Sequence, residues 1–189
     1  MKKLAKRLTA VLLVGILTIS LTACRKSYTK GVVDGDTYTN RWAEVKVTVP
    51  SGYKMIDISD AKLSSAMNKF DVGCIFAADS ATSIPICYVM TVEGEQDLAA
   101  IGEQFSNEFG GTGGAMNVQQ GKTTYQVSIN KVYYSIAGES YQVYHLSVST
   151  MDLYCALRDV EGTGVFVIYV ITMNGGSTEE DIFGMFEKM

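Results

Sequence analysis

The sequence predicts an α+β domain, an antiparallel β-meander with about three amphipathic helices packed on it. Two patterns predict it: close-spaced alternating strands from Thr123 to Met173, and apolar stripes at helical spacing in three places. In chain order, Val32 to Thr39 encloses Asp34-Gly35, which suits a tight hairpin. Val45, Val47 and Val49 alternate with Glu44, Lys46 and Thr48 as a half-buried strand, stopped by Pro50-Ser51-Gly52. Over 59–70, Leu63, Ala66, Met67 and Phe70 form a helical stripe, with Ser59 as N-cap and Asp60 at the positive end of the dipole. Val72 to Ala78 and Ile84 to Met90 read as the arms of a hairpin. Gln96 to Phe109 is helical again, through Leu98, Ile101, Phe105 and Phe109, and ends in the glycine loop 110–114. The strands of the meander follow. The run Val165 to Ile171 is apolar throughout and predicts a central strand covered on both faces. A third helix is predicted over 177–189, with Ser177 and Glu180 as its capping box and Ile182, Met185, Phe186 and Met189 as its stripe.

Residues 1–23 have a signal-peptide layout: Lys2, Lys3, Lys6 and Arg7, then an apolar run from Leu8 to Leu21, then small residues. The run is shorter than the roughly 18 to 20 residues that cross a bilayer. Leu21-Thr22-Ala23-Cys24 resembles a bacterial lipobox, which implies cleavage before Cys24 and a diacylglyceryl thioether on its sulfur. The chain then divides into a leader (1–23), a flexible tether (24–30) and a single domain (31–189). Two acyl chains anchor durably where one does not. Arg25, Lys26 and Lys30 are expected near anionic head groups or as a solvated tether. The location expected is the extracytoplasmic face of the cell membrane, with the lipid as the membrane partner.

Loss of the leader's four cations takes the chain's net charge from −4 to −8. An acidic domain of this kind does not face nucleic-acid phosphates. Three cysteines remain after Cys24, and an odd count argues against a full disulfide framework. A two-residue turn at Ser80-Ala81 would set Cys74 opposite Cys87, within reach of a bridge. The simpler reading is that both are small buried apolar residues.

The run from Lys30 to Asn40 (Lys-Gly-Val-Val-Asp-Gly-Asp-Thr-Tyr-Thr-Asn), then Trp42, then Val45 to Tyr53 resembles the opening of small bacterial lipoproteins with a PsbP-like α+β fold. The resemblance implies that fold and a Gram-positive type of source. It implies no catalytic residues, and fold does not fix activity.

The sequence carries no familiar catalytic constellation. His145 is the single histidine and reads as a strand residue. No zinc-ligand spacing, hydrolase elbow or complete phosphate loop occurs, since Gly121-Lys122-Thr123 has Met116 where a Walker motif needs glycine. Asp34-Gly35-Asp36 lacks the later acids of a calcium loop. No metal or cofactor is therefore expected. Tyrosines crowd the meander, and Tyr133, Tyr141 and Tyr144 are the candidate ligand-binding residues. The expected function is a non-catalytic binding or accessory lipoprotein domain, with an envelope protein as partner. The alternative is a saccharide- or peptide-binding lipoprotein that uses a tyrosine-rich sheet face.

Overall fold

The computed structural model describes residues 26–58, 70–80, 84–102, 116–120, 123–148, 150–173 and 178–189, for 116–120, 123–129 and Val148 the backbone alone. The leader, Cys24, nearly all of the 59–70 stripe, the end of the 96–109 stripe, the glycine loop and Ser177 lie outside the described residues.

The chain is mostly β, which overturns the expected PsbP-like α+β meander carrying three amphipathic helices. Two antiparallel sheets make the fold. The small one has β1 (Val32–Asp34), β2 (Thr37–Asn40), β3 (Val45–Thr48) and β12 (Phe186–Lys188), in the order β1-β2-β3-β12. The large one contains β4 (Tyr53–Ile56), β5 (Asp71–Ala78), β6 (Ile86–Glu93), β7 (Met116–Gln120), β8 (Thr123–Ile136), β9 (Glu139–Val148), β10 (Met151–Asp159) and β11 (Gly164–Met173). Its order is β4-β5-β6-β11-β10-β9-β8-β7.

Described α-helix is confined to 98–102 and Glu179–Phe183. The second is capped by Thr178 and Asp181, one residue beyond the expected pair, and stops at Gly184. Glycine is a poor helix former, and the chain beyond it meets the open edge of β3. Phe186 pairs with Val47 and Lys188 with Val45. Of the expected stripe, Phe186 is therefore buried from a strand, while Met189 is exposed.

The Asp34-Gly35 hairpin forms as expected, with Asp34 opposite Thr37 and Gly35 at φ 56°. The cysteine hairpin forms two residues out of the expected register: Phe76 faces Cys87, and Cys74 faces Val89. A slip of two leaves every side chain on its original face, so the apolar pattern cannot distinguish the two registers. Cys74, Cys87 and Cys155 are all buried and outside any disulfide.

The core has two layers. Between the sheets lie Tyr38, Val45, Val47, Phe76, Val143, Phe166, Ile168, Ile182 and Phe186. On the outer face of the large sheet, Met90, Tyr144, Leu146, Leu157, Val167 and Ile101 from the helical turn pack together. The predicted central strand is β11, between β6 and β10, with both faces covered along almost its whole length.

Candidate functional site

Cross-strand register fixes what the inner face of the large sheet presents at one end. Ser147 of β9 faces Asp152 of β10, and Asp152 faces Thr172 of β11. In the next row His145 faces Tyr154. Period-two alternation sends all five side chains to one face. Asp152 Oδ1 lies 2.9 Å from His145 Nε2 and also accepts a short hydrogen bond from Ser147 Oγ. The His145 ring stacks on Tyr154, with centroids 4.3 Å apart and planes 7° from parallel.

Helix Glu179–Phe183 closes the side of this row. Phe183 meets Tyr154 and Tyr134 edge-on, at 6.3 and 5.4 Å between centroids. Tyr134 Oη donates to Glu179 Oε1 at 2.9 Å. Burial, and then this carboxylate, push the Tyr134 phenol up to about 12. Burial pushes Tyr154 higher still, helped by the charges of Glu179 and Asp152. Both phenols thus stay protonated across the physiological range and act as neutral hydrogen-bonding groups.

The order of contacts decides the chemistry. A hydrolytic triad needs its serine against the imidazole and its carboxylate behind. Here Ser147 donates to the carboxylate itself, so Asp152 holds the hydroxyl and the imidazole side by side. This arrangement orients polar groups at a half-open edge, where the side chains of His145 and Asp152 remain 26% and 17% exposed. Its signal in the sequence is alternation alone: Ser147 and His145 on one strand, Asp152 and Tyr154 on the next.

The tyrosines singled out from the sequence do not come together. Tyr133 is 67% exposed, while Tyr141 and Tyr144 are buried. Tyr141 lies on the inner face under the Arg158 guanidinium, 5.3 Å from its ring. Tyr133 and Tyr144 lie on the outer face, with Lys131 Nζ 5.8 and 5.9 Å from their rings. Of the three, only Tyr133 is presented to solvent. Cys24 lies outside the described residues.

At the opposite end of the sandwich is a cleft of about 270 Å³, lined by Lys26, Trp42, Glu44, Glu139, Arg158 and Glu161 among others. Lys26 Nζ bridges Glu44 Oε1 at 2.6 Å and Glu161 Oε1 at 3.5 Å. The hydrogen bond to Glu44 raises the Lys26 ammonium and lowers the Glu44 carboxyl. Glu44 and Glu161 both have φ 53°, the left-handed region uncommon outside glycine. Arg158 Nη2 donates a short bond to the Ala43 carbonyl, and its Nε is buried with no partner among the described residues. Groups of three or more His, Cys, Asp or Glu side chains with metal-binding geometry are absent among the described residues.

Residues 26–30, expected as a free tether, lie on the domain. Tyr28 packs edge-on against Trp42 at 5.1 Å, and its hydroxyl donates to Asp71 Oδ2 at 3.0 Å and pairs with Thr91 Oγ1 at 2.8 Å. Lys30 Nζ reaches Asp71 Oδ1 at 2.8 Å. Lys26 and Lys30 are thus both paired with acids of the domain.

No family model matches the chain, and no curated protein does. A solved structure from Bacteroides thetaiotaomicron VPI-5482 is similar over 83% of this chain, at 14% identity and a TM-score of 0.37. The chain spans about half (49%) of that protein's length. No described helix is long and apolar enough to cross a membrane.

Proposed function

We propose that this chain is a lipid-anchored extracytoplasmic lipoprotein whose β-domain serves as a non-catalytic binding or accessory module of the cell envelope. One observation carries the reading: Leu21-Thr22-Ala23-Cys24 follows a basic head and an apolar run too short to span a bilayer. The domain's geometry is compatible with it, because Lys26, two residues beyond that cysteine, is held at the edge of the fold. The module's binding surface on this reading is the row of Ser147, Asp152 and His145, whose hydroxyl, carboxylate and imidazole suit a polar partner, with the buried Tyr154 ring supporting the imidazole from beneath. The envelope component it meets is expected to offer hydrogen-bond donors to Asp152.

The test is replacement of the sulfur. Cys24→Ser in the full chain, expressed in a lipoprotein-processing bacterium, is expected to shift the protein from the membrane fraction to the soluble fraction. Mass spectrometry of the wild type is expected to find a diacylated residue 24 at the mature N-terminus. Unmodified Cys24, or a serine variant that still sediments with membranes, overturns the reading.

A further inference from the structure

We infer that residues 26–30 fix the domain end-on against the bilayer, cleft end toward the lipid and the Ser147–Asp152–His145 row pointing away. The inference rests on the anchoring reading and adds an orientation to it.

The partners of the segment come from both sheets. Glu44 and Trp42 belong to the turn between β2 and β3, Glu161 to the turn between β10 and β11, Asp71 to the start of β5 and Thr91 to β6. Lys26, Tyr28 and Lys30 therefore cross one end of the sandwich and touch both layers there. The β8–β9 turn belongs to that same end, since Glu139 lines the cleft with Arg158 and Glu161.

Chain length then sets how far this end can stand from an acylated Cys24. Two residues reach at most about 7 Å when fully extended. A free tether of seven residues would allow about three times that and any orientation; a docked one allows neither. Val32 is 66% exposed and opens β1 opposite Thr39, next to the same turn, so it offers the interface apolar contact. The lipid surface is thus the partner of this end.

The polar row lies at the other end of the same strands. β9 leaves the cleft at Glu139 and reaches Ser147 eight residues on, roughly 26 Å at about 3.3 Å per residue. The row is consequently held clear of the head groups, where a partner arriving from outside the membrane meets it first.

The experiment compares two fluorescent labels on the lipidated full chain, reconstituted in vesicles with a head-group quencher. Ser140→Cys places a label at the cleft end and Thr150→Cys at the far end; the native thiols other than Cys24 are buried. The expected result is several-fold stronger quenching at 140 than at 150, with the difference lost when Lys26, Tyr28 and Lys30 are all replaced by alanine. Equal quenching in the otherwise wild-type protein overturns the orientation even if the triple variant misfolds. A protein that does not partition to vesicles at all overturns the anchoring reading, and the orientation with it; bound protein with equal quenching leaves the anchor standing and refutes only the orientation.

Discussion

At Gly164 the large sheet and the Trp42 ring come so close that there is no room for a Cβ. One built there falls 2.4 Å from the Val92 carbonyl oxygen and 2.9 Å from the Trp42 ring. The obstructing oxygen belongs to the backbone of β6, paired with β11, and cannot swing aside. Gly164→Ala is therefore expected to destabilise the domain by about 1–3 kcal/mol, read as a lower urea midpoint at unchanged slope. An unchanged midpoint shows that the two strands are free to part at that point. The glycine was visible in the sequence, but its reason was not, because Trp42 is 122 positions away. His145 teaches the same lesson. Its strand setting was legible, yet Asp152 and Tyr154 become its neighbours only through the β9–β10 register.

Among the elements, period-two patterns were the most faithful guide. The Asp34-Gly35 hairpin, β3, both arms of the cysteine hairpin and the meander from β8 to β11 form as strands where the sequence placed them, with clean alternation in β2 and β3 and burial on both faces in β10 and β11. Two kinds of element escaped it. β4 and β7 are short strands at the two sides of the large sheet, where one neighbour suffices and little burial patterning is imposed. β12 escaped because Ile182, Met185, Phe186 and Met189 satisfy helical spacing as well. The competing demand came from the edge of β3, which no local window contains. The polar row at the ends of β9 and β10 also belongs to this scale. Asp152→Ala leaves both His145 and Ser147 without their shared acceptor and is expected to cost about 1–3 kcal/mol, with Asp152→Asn milder because an acceptor oxygen remains. Thermal unfolding of the two variants checks this; equal losses would show that the carboxylate's charge matters more than its hydrogen bonds.

For the whole molecule, the buried phenols set an alkaline limit. Tyr38 and Tyr141 are fully buried and Tyr154 is 5% exposed. Desolvation raises all three, with Tyr141 reaching about 12 despite the nearby Arg158. A phenol whose folded value exceeds its unfolded value of about 10 adds no pH dependence below that value. Above it, the unfolded chain sheds protons that the folded one retains, so stability falls as pH rises. The share of tyrosinate absorbance that comes from these buried phenols is expected to develop together with loss of the β-sheet circular dichroism signal above pH about 10. A complete phenol titration with the sheet signal intact would contradict this. The pairing of Phe186–Lys188 with Val45–Thr48 has a further consequence, in time rather than in space. Val45 leaves the ribosome 141 residues before Phe186, and Lys26 leaves 135 residues before Glu161. A chain made from its N-terminus must therefore leave its small sheet unsealed until nearly all of it has been synthesised. Stalled or clipped chains would bare Tyr38 and Val47 to surveillance proteases, whereas finished ones would not.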